Sequence, residues 1–287
     1  MRTGALCFST DVSVRPDVLG RDVEEAGFEI LLFPDHTHVP VHLESRWPGG
    51  GDLPESYARI FDPFISMSWA LSATTDLIVG TGVALMAQRD PIVTAKQTAS
   101  LDLLSGGRTV LGIGAGWSRE EAANHGVVPA ERWAVMREHM LAVKEIWMNE
   151  IASFDGAHVH IEPMRSWPKP ARHPHPPVLV GGNGPTVLDR VLELGDVWYP
   201  SPAKGLPPMR DRVAELRQRA EEAGRPCPEV WVQVFGDGPG VADVVRSYED
   251  AGVDAVIFGL PSAPRDEVRR ALDSLRRHVA VLASGAG

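Results

Sequence analysis

Two hydrophobic periods alternate along this chain, and the switch between them repeats from one end to the other. Short apolar runs bounded by glycine, proline or polar residues read as buried strands. They fall at Ala5 to Ser9, Ile30 to Phe33, Leu77 to Gly80, Val110 to Ile113, Val178 to Gly181, Asp196 to Tyr199, Val230 to Phe235 and Ala255 to Phe258. Stretches with helical spacing separate them. These cover Pro16 to Ala26, a segment opening on Asp62-Pro63, Asp90-Pro91 up to Gly106-Gly107, Ala130 to Asn149, Pro185 to Leu194, Arg210 to Ala223, Val241 to Ala251 and Arg265 to Leu282. Asp62-Pro63 and Asp90-Pro91 each pair an N-cap acid with proline at the first helical position. Trp133, Met136, Met140, Val143 and Trp147 form an apolar stripe on the longest helix.

Eight strands, each followed by a helix, predict a closed parallel (β/α)8 barrel, the TIM-barrel architecture, as one domain over residues 1–287. A doubly wound open sheet is the alternative, and the count of eight weighs against it. Two excursions exceed ordinary connections: Pro34 to Arg59 after the second strand, and Glu150 to Pro177 before the fifth. The second carries a hairpin signal around Asp155-Gly156. Loops of such length commonly act as lids or binding loops, and substrate specificity is expected in these two.

Charge narrows the partners. Lys and Arg number 28 against 38 Asp and Glu, a formal net charge of −10. That disfavours nucleic acid or an acidic membrane surface, which call for clustered cations. No run approaches the about 20 apolar residues that span a bilayer, and MRTGALCFSTD contains no apolar signal core. A cytoplasmic protein acting on a small-molecule substrate is the expectation. Cys7 and Cys227 lie far apart and suggest no disulfide framework.

Candidate chemistry gathers at the carboxyl ends of the strands, where parallel barrels bind their ligands. The second strand runs into Asp35-His36, the third into Thr81-Gly82-Val83, the fourth into Gly114-Ala115-Gly116-Trp117 and the fifth into Gly181-Gly182-Asn183-Gly184-Pro185-Thr186. The last reads as a phosphate site on physical grounds alone. Its glycines let successive amides point at an anion, and Pro185 at the first helical position leaves the following amides free near the helix dipole. The fourth-strand loop is G-x-G-x-G rather than G-x-G-x-x-G, with no acidic ribose partner, and is weak support for NAD. Asp35-His36 by itself fits an ordinary turn acid beside a solvated histidine. His36-Thr37-His38 raises a metal-dependent hydrolase, but the eighth strand ends Phe258-Gly259-Leu260 and further ligands are missing; no metal is expected. Trp117 serves either as a pocket residue or as a cover on the barrel mouth. Trp198 and Tyr199, ending the sixth strand, are expected to point at the site.

The course DPIVTAKQTASLDLLSGGR from Asp90 to Arg108, the GIGAGW that follows it, Asp35-His36 and Gly181 to Pro185 together resemble the luciferase-like monooxygenase family, above all its coenzyme F420-dependent oxidoreductase branch. The resemblance spans roughly residues 5 to 260. It implies hydride transfer between the deazaflavin and a small organic substrate. His36 then serves as acid or base, its unperturbed pKa lying near neutrality, and Asp35 holds the ring edge. It also implies a cis peptide at Gly82-Val83 backing the ring, Gly114 to Gly116 walling the cofactor, Gly181 to Thr186 holding its phosphate, and a homodimer. FMN is the alternative cofactor. The Asp35-His36 pair and the S-x-G-R end of the helix lean towards F420. A sugar-phosphate substrate is disfavoured, because relatives with that activity carry an acid where this chain has Trp117 and a tryptophan where it has Pro40. A barrel that binds the cofactor without turnover is the remaining reading.

Overall fold

The computed structural model describes residues 1–201, 205–236, 238 and 240–284. Ile30–Phe33 and Thr109–Gly114 are buried at every position, as strands covered on both faces must be. In chain order the strands are β1 (Arg2–Cys7), β2 (Ile30–Phe33), β3 (Ile78–Thr81), β4 (Ala84–Leu85), β5 (Thr109–Gly114), β6 (Ala152–Asp155), β7 (His160–Met164), β8 (Val178–Gly181), β9 (Val197–Tyr199), β10 (Glu229–Val234) and β11 (Ala255–Leu260). The helices are α1 (Pro16–Glu25), α2 (Pro63–Ser72), α3 (Pro91–Ser105), α4 (Arg119–Asn124), α5 (Arg132–Met148), α6 (Val187–Leu194), α7 (Met209–Glu222), α8 (Val241–Asp250) and α9 (Arg265–Ser284).

Parallel pairing runs β3-β2-β1-β11-β10-β9-β8-β5 and closes through β3 and β5, giving an eight-stranded barrel. Period-two alternation sorts the side chains. Leu6, Ile30, Leu32, Val197, Tyr199 and Trp231 are among those filling the interior. Their neighbours Leu31, Phe33, Trp198 and Val232 face the helices. Glycine on β5 permits the tightest approach: a Cβ on Gly112 would stand 2.0 Å from the Thr81 carbonyl oxygen. The Thr81 hydroxyl donates to the Gly112 carbonyl at 2.6 Å, tying β3 to β5 where the third barrel strand breaks.

The helix starts follow their caps. Asp62 accepts from the Phe64 and Ile65 amides, and Asp90 from that of Val93. Gly106 ends α3 in the left-handed region at φ 69°. Three details depart from the sequence pattern. The third barrel strand is split into β3 and β4; the Gly82-Val83 peptide between them is cis, as the family resemblance implied. α4 is an extra short helix capped by the Ser118 hydroxyl. α6 begins at Val187, because Gly184 to Val187 forms a turn closed by a 3.0 Å bond from the Val187 amide to the Gly184 carbonyl. Pro185 therefore sits in that turn and not at the first helical position, as suits proline after the first turn residue.

The expected hairpin is present as β6 and β7, paired Phe154 to Ile161 and Asp155 to His160. It lies along the outside of α5, where the Glu138 carboxylate accepts from the Ala157, His158 and Val159 amides at 3.0, 2.6 and 3.1 Å. No helix among the described residues is long and apolar enough to cross a membrane.

Candidate functional site

The carboxyl ends of β2, β3, β5, β8 and β9 converge on the barrel mouth. Val83, directly after the cis peptide, is the floor. A Cβ on Gly114 would stand 2.6 Å from one Val83 methyl, and one on Gly181 3.1 Å from the other. Glycine at both strand ends is thus what lets this side chain enter the barrel axis. Thr81, Gly82, Val83, Gly114 and Gly181 come together as one unit.

Asp35 holds that unit from behind. It is 3% exposed, and its carboxylate accepts from Arg89 Nε at 2.6 Å, Arg89 Nη2 at 2.7 Å and the Leu85 amide at 2.9 Å. Such a fork on a carboxylate is strong and directional. Burial works to lower the basicity of Arg89, but the Asp35 bond and charge outweigh it and hold the guanidinium above its usual value. Both Asp35 oxygens accept bonds from the bulge and its neighbour Arg89.

His36 is free of that network and has its own. Its Nδ1 lies 2.7 Å from Glu121 Oε2, with side-chain exposures of 8% and 0%. In so dry a setting a carboxylate needs donors. His36 supplies one and the Thr37 amide, 3.0 Å from Oε1, another. Glu121 thereby orients the ring, with Nδ1 turned to the carboxylate and Nε2 away from it. Among the described residues nothing bonds to Nε2.

Aromatic rings enclose the histidine. Tyr57, carried in on the single-turn helix Glu55–Ala58, has its ring centroid 5.0 Å from His36 and 4.7 Å from Phe8. Trp117 lies 5.8 Å from His36. The Trp47 indole donates to the Tyr57 hydroxyl at 3.0 Å. Burial pushes the Tyr57 phenol up, against that donor, so it stays protonated near neutrality. The loop after β2 is therefore part of the mouth, whereas the Glu150 to Pro177 insertion packs along α5.

The Gly181 to Thr186 loop is the second part. Gly182 takes φ +129°, and its amide is spent on the Tyr199 carbonyl at 3.2 Å. Among the described residues no protein group accepts from the Asn183, Gly184 or Thr186 amides. Trp198 is 2% exposed and sits in the layer between barrel and helices, under the Arg212 guanidinium. The alternation of β9 turns it outward, away from the barrel interior. Its indole instead donates to the Gly182 carbonyl at 3.0 Å and props the loop. Beside the loop lies a cavity of about 140 Å³ lined by Asn183, Trp198, Leu206, Met209 and Arg212 among others. Tyr199, one residue on, faces the barrel interior.

Buried polar atoms without partners mark the same region. Ser9 Oγ, Trp117 Nε1, Asn183 Oδ1, Tyr199 Oη and Arg212 Nη2 have none among the described residues. The first four follow or end β1, β5, β8 and β9 at one rim of the barrel. Unsatisfied buried groups cost free energy, and their clustering at the mouth fits a polar-edged ligand lying there. His38 is turned away, bonded to Thr37 and Asn124.

Comparison with known proteins agrees with this architecture. The family model described as luciferase-like monooxygenase matches residues 18–236. An uncharacterized protein of Mycobacterium tuberculosis is 34% identical over 285 residues, covering 98% of this chain and 99% of its own length. An FMNH(2)-dependent dimethylsulfone monooxygenase of Pseudomonas putida is 28% identical over 60% of this chain and 47% of its own. An F420-dependent glucose-6-phosphate dehydrogenase of Kineococcus radiotolerans is 26% identical over 70% of this chain and 57% of its own. The crystal structure of monooxygenase RslO1 from Streptomyces bottropensis superposes with a TM-score of 0.81 at 17% identity, covering 99% of this chain and all of that one. An F420-dependent secondary alcohol dehydrogenase does so with a TM-score of 0.74 at 16% identity, covering 96% and 97%. At such identities the structures speak for the fold alone. With the family match covering most of its length, and with the barrel it folds into, this chain belongs to the luciferase-like monooxygenase family.

Proposed function

We propose that the protein is a coenzyme F420-dependent oxidoreductase that exchanges a hydride between the deazaflavin and a small, uncharged organic substrate. The observation that carries the reading is the His36–Glu121 pair at the mouth, dry, held in one orientation and, among the described residues, without a partner at Nε2. When bound, the deazaflavin supplies a two-electron hydride donor or acceptor at a ring carbon. Hydride transfer to or from a carbonyl carbon requires a proton to move at the oxygen, and a positioned histidine meets that need. Val83 supports a flat ring from below, while Phe8, Tyr57 and Trp117 exclude water from above. The free amides of Asn183, Gly184 and Thr186 suit a phosphate, with Arg212 Nη2 as a nearby cation. The Arg89 guanidinium behind His36 is neutralised by Asp35, so an anionic substrate finds no partner in it.

The test is a titration of the purified protein with F420 and, separately, with FMN, followed by quenching of Trp117 and Trp47 fluorescence. Saturable binding of F420, and weaker binding of its phosphate-free riboside, is expected. Preference for FMN would turn the reading to an FMN-dependent monooxygenase on the same barrel. Binding of neither would sink both.

The same reading includes a homodimer. α2 and α3 pack side by side and expose Ile65, Trp69, Val93 and Leu104, the last at 86%. Sedimentation should give twice the chain mass, and Leu104→Glu should return it to one. A monomeric wild type would remove this part of the proposal.

A further inference from the structure

His36 has a second side. Glu121 reaches it with one oxygen and with the other touches Thr37, whose amide lies at 3.0 Å and whose hydroxyl lies at 3.5 Å. The Thr37 hydroxyl is in turn 2.7 Å from Nε2 of His125 and 2.8 Å from Nδ1 of His38. His125 and Thr37 are exposed, whereas Glu121 is fully buried. A continuous file of hydrogen-bonding groups therefore runs from the covered mouth to the surface beside α4.

The file has a direction. Asn124 Nδ2 can only donate, so His38 Nε2, 2.8 Å away, accepts. Its other ring nitrogen, Nδ1, then donates to the Thr37 oxygen 2.8 Å away. The Thr37 proton is left to point at His125 Nε2, the nearer of its two remaining partners. A clamp that merely fastened the loop to α4 would not need this ordering of donors, and the Thr37 amide bond to Glu121 already fastens it.

We infer that Glu121, Thr37 and His125 form a proton port that connects His36 to bulk water without opening the aromatic cover. The inference rests on the reading of His36 as the group that handles the proton. After Nε2 takes a proton, the Nδ1 proton passes to the Glu121 carboxylate. The protonated carboxyl turns to bring its O–H to Thr37 and releases the proton to the Thr37 oxygen as Thr37 hands its own to His125 Nε2, and His125 sheds one proton to water from Nδ1. Once the carboxyl and the Thr37 hydroxyl turn back, both are as they began, and His36 is a neutral ring protonated at Nε2, able to give that proton up when the port returns one to Nδ1. Run backwards, the same steps recharge a donor.

The experiment uses the full chain labelled with 15N-histidine and no added cofactor. Imidazole 15N shifts report the His36 tautomer, and exchange of its ring N–H with water reports the port. Thr37→Val keeps the amide bond to Glu121 and removes the hydroxyl. It is expected to slow that exchange by about tenfold or more with the tautomer unchanged, consistent with the size of a lost acid–base partner. His125→Phe should slow it less, and free imidazole in the buffer should restore the rate. Unchanged exchange in both variants, even with a lower melting temperature, overturns the port and leaves a clamp. Titration of the same samples with F420 is an independent readout, so loss of the cofactor reading and loss of the port are told apart.

Discussion

The two polar ends of the mouth are built on opposite principles. Around Asp35 and His36 the carboxylates are satisfied: Asp35 by Arg89 and Leu85, Glu121 by His36 and Thr37. Around Gly182 the backbone is shaped and propped, yet among the described residues the Asn183, Gly184 and Thr186 amides, Asn183 Oδ1 and Tyr199 Oη lack protein partners. A satisfied network holds its geometry before any ligand arrives, which is what proton transfer at a fixed distance demands. An unsatisfied one is completed by the ligand and so contributes affinity. On the proposed reading, the contrast divides chemistry and binding between β2 with β5 on one side and β8 with β9 on the other.

The largest effect should come from opening the satisfied side. Arg89→Met strands the Asp35 carboxylate in a buried site, and breaking a buried pair in this way costs about 3–5 kcal/mol. Denaturant unfolding should show it, while the double variant with Asp35→Asn recovers a good part. A loss below about 1 kcal/mol would mean that water reaches Asp35, and the contrast between the two sides would collapse. Next in size, His36→Ala should lower kcat about 10²-fold or more for any substrate found by screening with reduced F420. F420 affinity should hardly change, because His36 stands on the chemical side. Equal losses in both quantities would break the division.

The binding side yields a sharper pair. Gly182→Ala forces a side chain into φ +129°, a region left almost entirely to glycine, at a cost of about 1–3 kcal/mol. Gly184 has no left-handed φ, and a Cβ there meets nothing within 4 Å. Gly184→Ala should therefore leave stability within about 0.5 kcal/mol, yet weaken F420 and spare its phosphate-free riboside. If both ligands weaken equally, the loop does not hold the phosphate.

Barrel strands and helices were legible because burial on both faces and N-capping acids leave marks within a few residues. The site was legible only where one residue type does a backbone job, as at Gly82, Gly114 and Gly182. Side-chain partners were not, since they join distant elements. Glu121 shows why. Ser118-Arg119-Glu120-Glu121 has the S-x-x-E spacing of a capping box and could have announced α4. That signature, however, sends the glutamate back to its own helix, and here the side chain crosses to His36, 85 positions earlier. The side to which Trp198 turns was not legible for a simpler reason: on a three-residue strand, alternation is set by the neighbours of the strand and not by its own pattern.

The smallest prediction tests what an occupied amide nest looks like. Glu138 fills three amides of the hairpin turn with a carboxylate, the job left undone at Asn183 to Thr186. Burial raises its pKa, but the amide bonds outweigh burial and hold it below the usual glutamate value. A depressed folded value means that the contribution is complete above the ordinary glutamate pKa of about 4.3 and vanishes as pH falls through the lower, folded one. Amide exchange at Ala157 to Val159 should therefore lose protection in that acid range, ahead of the barrel strands. In Glu138→Gln the protection should be weaker at neutral pH and flat across the range, because an amide oxygen accepts without titrating. If the wild-type turn also stays flat, Glu138 adds no charge-dependent stability there. A filled nest would then be worth little in this fold, and the empty one at Gly182 would need a ligand's full charge, rather than its shape, to matter.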